Sequence, residues 1–152
     1  MRGFIDRLLA ASAKTKVGRI QTALRLLLGA ALAYAGLSHL WWSRSEFLAQ
    51  VPDWFPVDAD LVVLASGVVE ILIGVALLVA AKYRVIVGII AAAFFIAIFP
   101  GNIAQLVEGT DAFGLNSDTS RAVRLLFQPV LVMWALWSTG AWGALRTSAS
   151  SD

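Results

Sequence analysis

Residues Leu61–Ala81 read LVVLASGVVEILIGVALLVAA, and this stretch decides the fold. It is an apolar run of about 20 residues, the length at which an α-helix crosses the hydrocarbon core of a bilayer. Glu70 stands about ten residues into the run, which at 1.5 Å per residue is roughly 15 Å deep, near the middle of a membrane. The stretch therefore predicts a transmembrane helix (61–81) that carries a buried carboxyl group.

Three further apolar runs flank this helix, at residues 20–42, 85–107 and 122–142. The chain of 152 residues is 59% hydrophobic and 14% charged, with a mean hydropathy of +0.78. Soluble domains are about one-quarter charged, so lipid is expected to solvate much of this surface. Residues 19–144 are therefore predicted to form an all-α integral membrane four-helix bundle in up-down-up-down order. Gly and Ala recur on one face of several runs, which predicts close helix packing.

Polar segments flank the bundle at both ends of the chain. Residues 1–18 are basic, and their apolar side chains share one helical face, which fits either a helix on the membrane surface or a solvated tail. Residues 145–152 are predicted to be a disordered polar tail. The first apolar run is longer than the core of a secretory signal, so we expect it to be retained.

Basic and acidic residues are sorted between the connections. Lys and Arg collect in residues 1–18, at Lys82 and Arg84 in the short turn, and at Arg146. The two long loops, residues 43–60 and 108–121, carry most of the acidic residues. The excess of Lys and Arg marks the cytoplasmic side, so both termini are predicted to be cytoplasmic.

Composition excludes several kinds of site. The chain has no cysteine, which rules out a disulfide framework, a CxxC motif, an iron–sulfur cluster and a cysteine nucleophile. Its one histidine cannot supply a bis-histidine haem or a multi-histidine metal site. The net charge is only +2, and sorting by side leaves no basic face for nucleic acid. We predict no metal site and no covalently bound cofactor.

Polar side chains recur in the outer half of all four predicted helices, where ionisable groups are costly and face the bundle interior. His39 closes the first helix, and Ser66 lies one turn from Glu70. The third helix carries Pro100, Asn102 and Gln105, and the fourth carries Arg121, Arg124 and Gln128 on one stripe. We predict a polar pocket with Glu70 and His39 as candidate catalytic residues. The candidate ligand-binding residues are Arg124, Gln128, Asn102 and Ser66.

Structural interpretations of the same residues stay open. Glu70 and Arg124 can form a buried ion pair that only fixes helix register. Arg121 and Arg25 are expected to extend towards lipid headgroups, and His39 can be an ordinary interfacial residue. Pro100 interrupts the third helix and frees a carbonyl, which we expect Asn102 or a water molecule to satisfy.

A series of motifs carries a family resemblance: GLSHLWW (36–42), VPDWFP (51–56), SGVVEILIG (66–74), FPGNI (99–103) and RLLFQPVLVMW (124–134). In this order they resemble the DoxX-like (DoxX/DoxD) family of small four-helix bacterial membrane proteins, over roughly residues 33–137. The resemblance implies a place in the bacterial cytoplasmic membrane. Some members are similar to the membrane subunit of a thiosulfate:quinone oxidoreductase, and others are associated with membrane complexes against oxidative stress. The family pattern falls on His39, Glu70, Pro100, Asn102, Arg124 and Gln128.

Three functions follow as hypotheses. The first is a membrane subunit that binds a small lipophilic ligand such as a quinone and works with a redox partner protein. Such a subunit is at most a non-autonomous part of an oxidoreductase. The second is a structural or partner-binding protein whose polar cluster only fixes helix packing. The third is a transporter or proton path. The sequence does not predict the oligomeric state.

Overall fold

The computed structural model describes residues 2–149, and every regular element in that range is helical. A short 3-10 helix (Ala81–Tyr83) joins α4 to α5. The α-helices are α1 (Arg2–Lys14), α2 (Arg19–Leu40), α3 (Arg44–Leu48), α4 (Ala59–Val79), α5 (Arg84–Ala97), α6 (Phe99–Glu108), α7 (Asp118–Ser138) and α8 (Ala141–Ala149).

Three segments of the described chain are long and apolar enough to cross a membrane. They are α2, α4 and the stretch Ala81–Glu108, which contains α5 and α6. A fourth candidate is the pair of α7 and α8, which meet at a bend of 76°. We call the end of the molecule that carries α3 and residues 109–117 the long-loop end, and the end that carries Ala81–Tyr83 the short-turn end.

Helices α2 and α4 make the most extensive contact, and small residues allow it. An added Cβ at Gly74 would lie 2.6 Å from the Ala33 nitrogen and 2.7 Å from the Gly29 oxygen, closer than real Cβ atoms approach backbone. Nearer the long-loop end, an added Cβ at Gly67 would lie 2.8 Å from the Cβ of His39. Glycine at these positions therefore lets the two backbones touch.

The apolar core forms where α2, α4, α5 and α7 meet. Leu28, Leu77, Phe95 and Ala135, one from each helix, are all at most 3% exposed and belong to one packed cluster. On α5, Gly88 packs against Thr139, at the end of α7. The core thus fixes the two helix pairs, α2 with α4 and α5 with α7, into one unit.

The basic N-terminal segment is helical as far as Lys14 and docks on the bundle. Ser12 Oγ accepts a hydrogen bond from the Val85 N–H at 3.3 Å. Arg84 donates to the carbonyls of Ser12, at 2.7 Å, and Thr15. These donors satisfy carbonyls at the end of α1, which a helix cannot satisfy itself. The segment is therefore anchored to α5 rather than being an unstructured tail.

Two predicted boundaries in the second half of the chain differ from the structure. The third predicted span, 85–107, divides at Ile98, and Pro100 lies in the first turn of α6, where its missing N–H is tolerated. The fourth, 122–142, ends at Ser138, because Gly140 has a φ of 77° and turns the chain into α8. The predicted disordered tail is helical up to Ala149, and residues 150–152 lie outside the described range.

Candidate functional site

The centre of the site is a contact between a carboxyl group and an imidazole. Glu70 on α4 and His39 on α2 are 6% and 5% exposed. Glu70 Oε2 lies 3.3 Å from His39 Nε2, because Gly36 and Gly67 bring α2 and α4 together at this level. The ion pair that the sequence suggested for Glu70, with Arg124, is wrong as to the partner: the group facing this carboxyl is His39. His39 is also buried, and its Nε2 makes no hydrogen bond within residues 2–149, so it is not an ordinary interfacial residue.

The other imidazole nitrogen is held by α4. His39 Nδ1 lies 3.1 Å from Ser66 Oγ and 3.3 Å from the Val63 oxygen. Ser66 Oγ donates to the Val63 oxygen at 2.9 Å, so it accepts from an Nδ1–H. That tautomer points the Nε2 lone pair at Glu70. Within residues 2–149 neither His39 Nε2 nor Glu70 Oε2 makes a hydrogen bond, and both are buried.

Two side-chain amides form hydrogen bonds next to the break between α5 and α6. Asn102 Nδ2 donates to Gln128 Oε1 at 2.8 Å, and Gln128 Nε2 donates to the Phe95 oxygen at 2.7 Å. The sequence predicted that Asn102 or water would satisfy a carbonyl freed at this break. Asn102 does not satisfy that carbonyl, because its amide donates to Gln128; the neighbouring Phe95 carbonyl accepts from Gln128. The two amides are thus joined across α6 and α7.

Arg124 reaches the same region from α7. Its Nη1 donates to Gln105 Oε1 at 3.2 Å, and its guanidinium carbon lies 5.0 Å from the centre of the Phe113 ring. The second of these contacts is a cation–π interaction. Arg124 therefore keeps most of its five N–H donors available for another acceptor.

The other two arginines that the sequence singled out are not part of the site. Arg121 is 7% exposed and pairs with Asp111 and Asp118, so it fastens a loop rather than extending towards headgroups. Arg25 is 5% exposed and donates to the Leu77 carbonyl near the end of α4. Both expectations of extension into the headgroups are wrong, because each guanidinium finds protein acceptors nearby.

Two adjoining cavities meet at these side chains, with volumes of about 470 Å³ and 310 Å³. Their common wall contains the polar residues His39, Glu70, Asn102 and Arg124 together with Phe47 and Ile98. The first cavity runs between α2 and α7 and also contacts Gln128. The second lies under the loop that follows α3 and also contacts Ser66. The structure thus brings all six predicted site residues to the walls of two adjoining cavities.

The chemistry of this wall is that of hydrogen bonding to an organic oxygen. Arg124 offers donors, the amides offer both donors and acceptors, and His39 with Glu70 can exchange one proton with a bound group. Within residues 2–149 no group of three or more His, Asp or Glu side chains is placed to hold a metal ion. Most of the remaining lining is apolar, which is typical of small-molecule pockets of this size.

Comparison with known families identifies the region that contains the site. The family model described as "Domain of unknown function (DUF8561)" matches residues 28–139. The chain belongs to the DUF8561 family. No curated protein and no solved structure matches the chain. The DUF8561 region starts at Leu28, the first residue to line a cavity, and ends beside α8, so it contains both cavities and leaves out α1.

Two aromatic residues of the DUF8561 region complete the site and were not predicted. Phe47 on α3 packs against the His39 ring. The centre of the Phe47 ring lies 4.7 Å from the centre of the Phe113 ring. Phe113 has a φ of 56°, an uncommon value for a bulky residue, and its N–H donates to Glu46. Positive φ at such a residue persists only where surrounding contacts impose it. In the sequence, the apolar pairs FL (47–48) and AF (112–113) stand within otherwise polar loops, and this pattern is the signal that could have indicated these contacts.

Proposed function

We propose that this DUF8561 protein is an integral membrane protein that binds a small lipophilic ligand with a polar head, of the quinone class, and that it supports a redox complex. The observation that carries the proposal is the common wall of the two cavities. There, His39 Nε2 and Glu70 Oε2 face each other at 3.3 Å, neither makes a hydrogen bond within residues 2–149, and Arg124 retains donors that no described residue uses. A polar wall inside an otherwise apolar space suits a ligand with one polar end.

The outer surface of the helices supports the membrane assignment. α4 exposes apolar side chains along its whole length, among them Leu61 (58%), Leu72 (64%) and Val79 (75%). With 21 residues the helix is about 31 Å long, close to the thickness of a hydrocarbon core. Contact of this apolar surface with water would be unfavourable, whereas lipid chains solvate it.

The proposed orientation places the short-turn end and both termini in the bacterial cytoplasm. The basic residues Lys82 and Arg84 at the short-turn end support it, as do Trp41, Trp42 and Trp54 at the long-loop end, where an aromatic belt is expected. Because the chain has no cysteine, single-cysteine variants test this directly. Asp58→Cys and Asp111→Cys should react with a membrane-impermeant maleimide in intact cells, and Lys82→Cys should not. The opposite pattern would refute the orientation.

A quinone head fits the groups on the wall. Its carbonyl oxygens accept hydrogen bonds, which Arg124 can donate, and the His39–Glu70 pair can give or take the proton that accompanies reduction or oxidation. Without cysteine and with one histidine, the sequence offers no ligand set for an iron–sulfur cluster or a bis-histidine haem, so in this proposal a partner protein or a small reductant supplies the electrons. The resemblance to DoxX-like proteins favours a role as a subunit that assists a redox complex.

Identification of bound lipophilic molecules tests the proposal. The purified full-length protein should carry a quinone that is detected by mass spectrometry of its organic extract. Glu70→Gln should lose it, because the Gln amide can donate to His39 Nε2 and so close the contact at which the head group is proposed to bind. Glu108→Gln, the same change at an exposed residue at the end of α6, should retain it. Absence of any quinone from wild type, together with no binding of added quinone, would refute the proposal.

The second candidate function is structural, and the amide network favours it. Asn102, Gln128 and the Phe95 carbonyl satisfy one another without a ligand. If the whole cluster only fixes packing, Glu70→Gln should lower the unfolding temperature and leave no specific binding to lose. A stable complex with another membrane protein that survives Glu70→Gln would also support this candidate.

A further inference from the structure

Within residues 2–149, the hydrogen bonds between α2 and α7 all lie near the short-turn end. Gln21 Nε2 donates to the Trp137 oxygen at 2.9 Å, and Trp134 Nε1 donates to the Leu24 oxygen at 3.1 Å. Past these two bonds, no described hydrogen bond joins α2 to α7. The antiparallel helices thus have a fixed end, and the first cavity begins directly beyond it.

The first cavity is a cleft between these two helices. Its walls follow both helices outward from Leu28 and Leu131 to His39 and Arg124. On α2 the wall contains the small residues Ala31 and Ala35, which leave the space open. Pro129, which follows the lining residue Gln128 in α7, removes one hydrogen bond from the helix.

The mouth of the cleft lies on the lateral surface of the helices. Ala31 is exposed and Phe127 is 54% exposed, and both line the cavity. Ala31 is about twelve residues into α2, which at 1.5 Å per residue is roughly 18 Å from its start and so at mid-membrane depth in the proposed topology. The opening therefore faces hydrocarbon, whereas the opposite end of the cleft meets His39 and Glu70.

We propose that the cleft between α2 and α7 holds the apolar chain of the ligand and leads it out into the bilayer, so that the ligand class is a head group bearing a long hydrocarbon chain. This inference rests on the proposed function. The head lies at the common wall, and the chain contacts Leu28, Ala31 and Phe127. The polar end and the apolar cleft form one continuous space, which is the shape that such a molecule requires.

Filling the mouth tests the proposal. Ala31→Phe places a ring where the chain would lie, and Ala30→Phe is the control, since Ala30 is exposed on the same helix but does not line the cavity. Two probes are titrated against the full-length protein in detergent and followed by tryptophan fluorescence. They are a dimethoxy-methyl-benzoquinone without a chain and the same head carrying a decyl chain.

The two probes are expected to respond differently. Ala31→Phe should weaken binding of the decyl probe by about tenfold, the loss expected for two methylenes displaced from apolar contact. It should leave the chain-free probe within about twofold of wild type, and Ala30→Phe should leave both unchanged. Ala35→Phe provides a second block of the same cleft if Ala31→Phe does not fold.

Three outcomes would overturn the inference. Unchanged decyl binding in both blocked variants would show that the chain lies elsewhere. Equal loss of both probes in both blocked variants, with Ala30→Phe unchanged, would show that the cleft holds the head group and is not a separate site for the chain. The third outcome has two parts: wild type yields phospholipid alone, and the decyl probe binds no better than the chain-free one. Together they would assign the cleft to a membrane lipid. Failure of wild type to bind either probe would instead refute the proposed function.

Discussion

At the short-turn end Arg25, Gln21 and Thr139 each donate to a backbone carbonyl, whereas at the long-loop end Glu70, His39 and Arg124 border open space. Both ends therefore contain costly polar groups. At the first end these groups satisfy carbonyls, and the buried atoms without a partner there among the described residues, Arg84 Nε and Ser138 Oγ, line neither cavity. At the second they meet around two cavities and keep unused hydrogen-bonding capacity. The difference is that packing uses the polar groups at one end, while the proposed ligand site has polar groups that border cavities at the other.

The separation of α7 from α2 accounts for this difference. Helices α2 and α4 remain in close contact along much of their length through Gly29, Gly36, Gly67 and Gly74. α7 is bound to α2 near Trp134 and then leaves room for the first cavity. A polar group buried at the open end is therefore available to a ligand, while one at the closed end has only backbone to bind.

The largest expected effect is on packing between α2 and α4. Gly74→Ala places a Cβ 2.6 Å from the Ala33 nitrogen, so backbone has to move, and we expect a loss of about 2–3 kcal/mol in the free energy of unfolding. Thermal unfolding in detergent, followed by circular dichroism, measures it. Gly143→Ala in α8, where the added Cβ meets nothing within 4 Å, should be neutral or slightly stabilising. Equal tolerance of both changes would contradict the close contact.

The next effect compares two glutamines, one at each end. Gln128→Leu leaves the Phe95 carbonyl and the Asn102 amide without their partner, in a residue only 5% exposed, and should cost about 2 kcal/mol. Gln21→Leu removes a more exposed bond and should cost about half as much or less. Unfolding temperatures and binding of the decyl probe are measured for both. Loss of probe binding in Gln21→Leu but not in Gln128→Leu would reverse the comparison.

A smaller effect is expected where the second long loop is fastened. Arg121→Gln removes bonds to Asp111 and Asp118, but these two carboxylates are 66% and 87% exposed, so solvent reduces the loss to about 1 kcal/mol. Proteolysis within residues 109–117 should become faster than in wild type. Arg146→Gln, a change at an exposed position of α8, is the control and should not alter the cleavage rate. An unchanged rate in Arg121→Gln would show that other contacts hold the loop.

The smallest effect is expected at the surface pair that joins α3 to the start of α4. The Asp60 carboxylate accepts hydrogen bonds from Arg44 and holds the pKa of that guanidinium above its ordinary value. Both side chains are partly exposed, at 38% and 47%, so Asp60→Asn should barely change the unfolding temperature, and high salt should remove any difference. A large loss would show instead that this pair positions α3 and Phe47 over His39.

The sequence predicts the polar residues that line the two cavities but not all of their partners. Helical spacing placed Ser66 on the same face as Glu70, and membrane cost predicted that Glu70 points inward. The pairing of Glu70 with His39 depends on how closely α2 approaches α4 at Gly36 and Gly67, which spacing within one helix does not reveal. Phe47 and Phe113 were missed because loops lack a periodic signal.

By itself the sequence determined that this chain is helical and apolar, that it has no cysteine chemistry, and that polar side chains of four helices have to face inward. These follow from composition and period, which are local properties. Only the tertiary structure decided that Glu70 meets His39, that Gln128 serves the break after α5, and that α7 leaves a cleft beside α2. Such contacts depend on distances between helices remote in sequence, and close packing of glycine and alanine sets those distances.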